Sequence, residues 1–390
     1  MSLLVGIPRE TFPGERRVAM VPRVFDSLAK SGMKMIVERS AGLEAGFPDQ
    51  EYLDKGAQLA TREEVFAAAD IVLQVRTLGA NPVEGRADLP LFKRGQIVIG
   101  FSEPLMMAKE CAELAERGVT LFAMELIPRI TRAQSMDALS SMATAAGYKA
   151  VLMAAEASPR MFPMLTTAAG TIAPAKVFVL GVGVAGLQAI ATARRLGAVV
   201  SAYDVRPAVK EQVLSVGAKF VELPIEAQGS EDKGGYAKAM GEEFYRKQRE
   251  LLMSVLKEMD VVITTAAVPG KKAPILLTAE MVKAMPQGSI VVDVAAERGG
   301  NCELTRPGET VVVDGVTIMG PANLPAKAAY HTSQMYAKNL ATLLAHLAPK
   351  GNLAIKPEDE ITRESMVAHE GTVVQSKVAE LLGLTAKVGG

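Results

Sequence analysis

The stretch Val177-Phe178-Val179-Leu180-Gly181-Val182-Gly183-Val184-Ala185-Gly186 constrains this chain more than any other feature. Four apolar residues run directly into Gly-x-Gly-x-x-Gly, and a helical pattern from Leu187 to Leu196 leaves it. A second apolar run, Val199 to Tyr203, ends at Asp204, 18 residues after Gly186. Strand, glycine turn, helix, strand and acid in this order and spacing form the fingerprint of a dinucleotide-binding βαβ unit. Gly181 permits the tight turn, Gly183 lets the backbone approach a pyrophosphate, and Gly186 lets helix and strand pack closely. Val184 and Ala185 open the helix, whose free N–H groups and positive dipole end suit phosphate. Asp204, followed by Val205, is placed to bond ribose hydroxyls. A carboxylate there repels a 2′-phosphate and favours NAD(H), while Arg206 leaves NADP(H) open. Thr265 and Ala266 end a further strand, beyond whose carboxyl end a ligand is expected. A plain strand-to-loop junction is the alternative there.

The rest of the chain repeats the alternation. Leu3–Ile7, Lys34–Glu38, Ile71–Val75, Gln96–Phe101 and Leu121–Met124 read as strands, with helices between them. One helix starts at Thr61 with Glu64 three residues on, a capping box. Another covers Met107–Arg117. A long Ala- and Met-rich helix spans Asp137–Ala157, and then strands recur at Val177–Leu180, Val199–Tyr203, Phe220–Leu223, Val261–Thr265 and Ser289–Val294. Asp314-Gly315 between Thr310–Val313 and Val316–Met319 predicts a two-residue hairpin. A helix from Lys327 to Leu347 is expected to lead back to the first unit, with the tail after Pro349 packing on it. The fold class is α/β, with two Rossmann-like doubly wound parallel-sheet domains and a cofactor cleft between them. The expected division is 1–136 plus 328–390 for the first domain and 137–327 for the dinucleotide domain.

Lys plus Arg equals Asp plus Glu at 43 each, so charge gives no reason to expect nucleic acid. Two distant cysteines, Cys111 and Cys302, indicate neither a disulfide framework nor a metal motif and fit a reduced, cytosolic compartment. No signal peptide is read at the N-terminus, and no direct membrane insertion is expected, since the longest uncharged stretch, Val177–Ala193, carries the glycine turn. The segment from Glu226 to Gly241 is charged, glycine-bearing and aperiodic; it is either a solvated loop or a functional one.

A dehydrogenase acting on an alcohol or amine must also move a proton, usually with a histidine or lysine. The chain has three histidines, His331, His346 and His369, and none precedes residue 330. His346 and His369 read as surface or tail residues and His331 as structural. No metal site is apparent. Hydride exchange between two nicotinamides needs no such base, and fits.

The run Met124-Glu125-Leu126-Ile127-Pro128-Arg129-Ile130-Thr131-Arg132-Ala133-Gln134-Ser135-Met136-Asp137-Ala138-Leu139-Ser140-Ser141 closely resembles the NAD(H)-binding component (domain I, the alpha-1 subunit) of proton-translocating NAD(P) transhydrogenase. The likeness covers nearly the whole chain, including Pro8-Arg9-Glu10, Gly14 to Ala19, Gly234-Gly235-Tyr236-Ala237-Lys238 and Gly299-Gly300-Asn301-Cys302. It implies that Arg129 and Ser140 contact the nicotinamide carboxamide, that Asp137 orders Arg129, and that Gln134 reaches toward NADP(H) held by a partner. It also implies that Tyr236 sits on a mobile loop closing over NAD(H), which would exclude water. Alternatively, this run merely caps the long helix, for which Asp137 and Ser135 suffice.

The resemblance further implies a homodimer, a membrane-spanning subunit and an NADP(H)-binding beta subunit. The chain would then be cytoplasmic, peripheral on the cytoplasmic face of the inner membrane through those subunits. The Asp314-Gly315 hairpin is the expected dimer contact, since an exposed hairpin offers pairing edges. Alanine dehydrogenase is a relative and the rival reading. The lysine that enzyme uses falls near Arg76, Gly100 to Pro104 holds no histidine, and Glu297 replaces an aspartate. Arg76 could still bind a carboxylate. A non-catalytic NAD(H)-binding module is the other rival.

Overall fold

The computed structural model describes residues 2–223, 242–268 and 270–384. Their contacts divide the chain into two units, 1–142 with 326–390 and 143–325. The long helix, Ala138–Ala157, is therefore shared: it ends the first segment of one unit and begins the other.

In the first unit the parallel strands lie in the order Gln58–Ala60, Lys34–Glu38, Leu4–Ile7, Ile71–Arg76, Ile97–Phe101, Thr120–Ala123. This is the doubly wound order, in which the chain returns to the centre after its third strand and builds outward on the other side. Two faces must then be covered, and the residues alternate accordingly. Val5, Ile7, Leu73, Val75, Ile99 and Phe122 enter one core with the helix Ala329–Leu347. Val72, Val98, Leu121 and Ala123 enter the other, with Val65, Cys111 and Leu114 from the helices Arg62–Ala68 and Ala108–Glu116. The capping box forms as read: Thr61 Oγ1 accepts from Glu64 N and Glu64 Oε2 from Thr61 N.

The second unit repeats the plan: Lys219–Phe220, Val199–Tyr203, Lys176–Leu180, Val261–Thr264, Ile290–Asp293, Val316–Met319. Val177, Val179, Ile263 and Val292 face a core shared with Ala150, Ile190 and Val213, while Phe178, Val262 and Val291 face Leu252, Leu256 and Met281. The outer strand Thr310–Val313 pairs antiparallel with Val316–Met319. Asp314 and Gly315 have φ of 48° and 76°, the double left-handed turn that Asp-Gly accommodates.

Several details differ from the sequence reading. Met124 leaves the strand to start a 3-10 turn, and the strand expected at Phe220–Leu223 is only Lys219–Phe220. The strand Gln58–Ala60, the hairpin Leu165–Thr167 with Gly170–Ile172, and the helix Glu242–Leu256 were not read. The first two are three-residue runs, too short to show a period. The tail packs on the first unit, but as sheet: Met366–His369 pairs antiparallel with Thr120–Ala123 and carries Thr372–Val373 beyond it. His369 and His346 are accordingly not free tail residues. His369 Nδ1 lies 3.0 Å from Thr120 Oγ1, and His346 Nε2 3.1 Å from Thr362 Oγ1. Among the described residues no helix is long and apolar enough to cross a membrane.

Candidate functional site

The switch point of the second unit lies between Lys176–Leu180 and Val261–Thr264, which pair directly yet feed connections to opposite sides. The glycine turn sits at its carboxyl edge. Gly181 has φ 92°, and a Cβ there would lie 2.8 Å from Ala266 N. A Cβ on Gly186 would lie 2.0 Å from Gly181 O. Both positions are closed by packing. Gly183 is different: no atom lies within 4 Å of a Cβ built there. It stands at the N-cap of the helix Val184–Arg195, extended at φ −81°, with the first-turn N–H groups of Val184, Ala185 and Gly186 ahead of it. A turn wedged at its first and third glycines and open at the second is what a pyrophosphate requires.

Asp204, Val205 and Arg206 follow the neighbouring strand. Asp204 Oδ2 accepts from Val182 N at 2.7 Å, tying the acid to the turn. Arg206 folds back onto Asp204 with Nε at 2.9 Å from Oδ1 and Nη2 at 2.9 Å from Oδ2, and donates also to Val182 O at 3.2 Å. Across the switch point, Thr265 Oγ1 donates to Gly181 O at 2.8 Å. The structure thus gathers Gly181, Gly183, Val184, Ala185, Gly186, Asp204, Val205, Arg206, Thr265 and Ala266 at one sheet edge.

In the first unit Arg129, Gln134, Asp137 and Ser140 lie on one continuous stretch. Thr131–Met136 is a 3-10 turn whose Ala133 and Met136 are buried in the core, leaving Arg129, Arg132, Gln134 and Ser135 exposed. Asp137 caps the following helix: Oδ1 accepts from Ser140 N at 2.8 Å and Oδ2 from Ser140 Oγ at 2.6 Å. The capping role considered from sequence is therefore real for Asp137. It does not account for Gln134. The turn is also held from the C-terminal segment, by Asn339 Nδ2 on Ser135 O at 2.9 Å and Arg132 Nη1 on Asp359 Oδ2 at 2.7 Å. Tyr236 and the rest of the Gly234-to-Lys238 motif lie outside the described residues.

Sequence reasoning missed a buried charge cluster at the first unit's own switch point, where Leu4–Ile7 and Ile71–Arg76 end. Arg17 meets Glu15 fork to fork, Nε to Oε1 at 2.7 Å and Nη2 to Oε2 at 2.6 Å. Arg76 Nε lies 3.3 Å from the same Glu15 Oε2, and its guanidinium lies 4.1 Å from the Phe12 ring centroid. Burial pushes Glu15 up, but Arg17 and Arg76 outweigh it and hold its carboxyl at about 2. Glu10 accepts from Val75 N at 2.6 Å and Arg76 N at 3.1 Å; burial, reinforced by Glu15, pushes it up to about 8. The signal was the Glu-x-Arg spacing of Glu15 and Arg17, too short a pattern to stand out alone. Among the described residues no group of three or more His, Cys, Asp or Glu is placed to hold a metal ion.

Comparison with known proteins agrees with this construction. The family described as alanine dehydrogenase/PNT, N-terminal domain, matches residues 6–146, and its C-terminal-domain counterpart matches residues 150–376. The chain is 47% identical over 375 residues to the first portion of the NAD(P) transhydrogenase alpha subunit of Rhodospirillum rubrum, a separate chain there, covering 95% of this chain and 97% of that one. Alanine dehydrogenase of Methanococcus maripaludis is more distant, 27% identical over 390 residues with 97% and 96% covered. A crystal structure of transhydrogenase from Sinorhizobium meliloti superposes with a TM-score of 0.85 at 45% identity, covering 95% of this chain and all of that one. With both domains matched in order and identity well above the threshold of common descent over almost its full length, the chain belongs to the alanine dehydrogenase/PNT family, on its transhydrogenase side.

Proposed function

We propose that this chain is the NAD(H)-binding subunit of a proton-translocating transhydrogenase, exchanging hydride directly with NADP(H) bound on a partner subunit. The observation that carries the cofactor reading is the glycine turn, closed at Gly181 and Gly186 and open at Gly183. When bound there, NADH supplies a hydride donor whose oxidation leaves no proton to be removed. The N–H groups at the start of the helix Val184–Arg195 would hold its pyrophosphate, and Asp204 its ribose. Arg129 and Ser140 would hold the carboxamide. Asp137, already bonded to Ser140, fixes that hydroxyl's orientation. Gln134 would bridge toward the partner's ligand, since an amide both donates and accepts. Tyr236 would serve on a closing loop. The assembly is proposed as a homodimer of this chain, with the Asp314-Gly315 hairpin at its contact, docked on a membrane-spanning subunit and an NADP(H)-binding beta subunit at the cytoplasmic face.

Mixing the chain with a purified NADP(H)-binding transhydrogenase subunit, NADH and an NADP+ analogue tests the reading. Rapid analogue reduction, dependent on both proteins, is expected. Rapid NADH formation from NAD+ and L-alanine by the chain alone would overturn it in favour of an amino-acid oxidoreductase. NADH binding without transfer would leave a binding module.

A further inference from the structure

Asn301 lies in the glycine-bearing loop after Ile290–Asp293 and is fully buried. Every polar atom it owns is used. Its N donates to Asp293 Oδ2 at 2.7 Å, and its O accepts from Leu276 N and Leu277 N at 2.8 and 3.0 Å. Its side chain grips Ala266 from both sides: Oδ1 accepts from Ala266 N and Nδ2 donates to Ala266 O, each at 2.9 Å. The second Nδ2 hydrogen goes to Pro274 O at 2.9 Å. An asparagine amide is complementary to a backbone peptide in just this way, accepting with one end and donating with the other.

The grip is aimed. Ala266 N is the atom nearest a Cβ at Gly181, and Thr265, one residue back, donates to Gly181 O. Asp293 anchors the other end, accepting from Thr264 Oγ1 and Ala295 N as well as from Asn301 N, Cys302 N and Thr305 Oγ1. A chain of contacts therefore runs from Asp293 through Asn301 and Ala266 to the glycine turn. We infer that Asn301 is a positioning residue for the dinucleotide site: it sets the Thr265–Ala266 segment against Gly181 and so fixes the shape of the turn that meets the pyrophosphate. The inference rests on the proposed NAD(H) site.

Asn301→Ala removes all three side-chain bonds. Asn301→Asp replaces two donors with a carboxylate facing the Ala266 and Pro274 carbonyls, a repulsion relieved when that carboxyl is protonated. Ser289→Ala is the control; Ser289 Oγ donates to Met259 O at 3.1 Å at the opposite end of the same sheet, and is equally buried. NADH affinity, measured by equilibrium dialysis, should fall roughly tenfold or more in both Asn301 variants and stay within about twofold in Ser289→Ala. In Asn301→Asp, affinity should recover as pH is lowered from about 8 to about 6, and in Asn301→Ala it should not. Wild-type affinity in both Asn301 variants, or a loss matched by Ser289→Ala, would overturn the inference while the NAD(H) site stood. A wild-type chain that does not bind NADH would overturn both.

Discussion

Arg206 closes on Asp204 through three nitrogens, its backbone N and Nε on Oδ1 and its Nη2 on Oδ2, all at 2.9 Å. Both side chains are nearly buried, and Oδ2 also takes Val182 N. The arginine that left NADP(H) open in the sequence is thus spent on the acid that opposes it. Buried charge-assisted bonds of this kind are worth about 1.5–3 kcal/mol each. Asp204→Ser should therefore weaken NADH binding by about 10- to 100-fold and release Arg206 for a 2′-phosphate, raising NADPH affinity relative to NADH. Fluorescence titration with the two reduced nucleotides reads this directly. An unchanged preference would show that Asp204 serves only the turn.

The glycines of the turn should separate in their effects. Gly183 has a backbone any residue adopts and free space at its Cβ, so Gly183→Ala should leave thermal stability within about 2 °C of wild type while lowering NADH affinity at least roughly tenfold. Gly186→Ala drives a methyl into Gly181 O and should destabilise the chain by about 1–3 kcal/mol, seen as a lower urea midpoint without ligand. Equal stability losses in the two variants would remove the ligand from the explanation of Gly183.

Gln134 is exposed on a turn that Ala133 and Met136 hold in the core. Gln134→Asn shortens the reach by one methylene and leaves that anchoring intact. Hydride transfer to the partner should slow by about tenfold or more, because a misplacement on the scale of 1 Å is costly in a transfer step. NADH affinity should remain within about twofold. A parallel loss of NADH affinity would assign Gln134 to the cofactor site or the fold.

Glu125 sets a pH dependence of stability. Its Oε1 accepts from Ser102 N at 2.7 Å and from Glu103 N, while Oε2 is buried without a hydrogen-bond partner. Burial, with Glu103 nearby, pushes its carboxyl up to about 7 from 4.5. Between those values the folded chain keeps a proton that the unfolded chain has lost, so stability falls as pH rises through that window and levels off above it. Glu10, pushed up to about 8, acts in the same sense, whereas Glu15 at about 2 contributes stability lost only in acid. Glu125→Gln keeps the acceptor and cannot ionise. Relative to wild type it should gain on the order of 1–3 kcal/mol between about pH 5 and pH 8.5 in urea unfolding. Identical pH slopes would exclude Glu125 as the source.

The sequence alone determined what short-range chemistry determines. The strand–turn–helix at Gly181, the Thr61 capping box, the Asp314-Gly315 hairpin and the doubly alternating apolar runs all depend on residues a few positions apart, and all appear where they were read. Only the tertiary structure could pair Asn301 with Ala266, 35 residues away, join Val75 to Glu10 across 65, or lay Met366–His369 beside Thr120–Ala123. Such partners carry no local period; their geometry exists only once the sheet brings distant strand ends to one edge. The sequence named the loop and turn residues one by one. The fold decided that Arg206 neutralises Asp204, that Asp137 is engaged by Ser140, and that a buried asparagine holds the glycine turn in place.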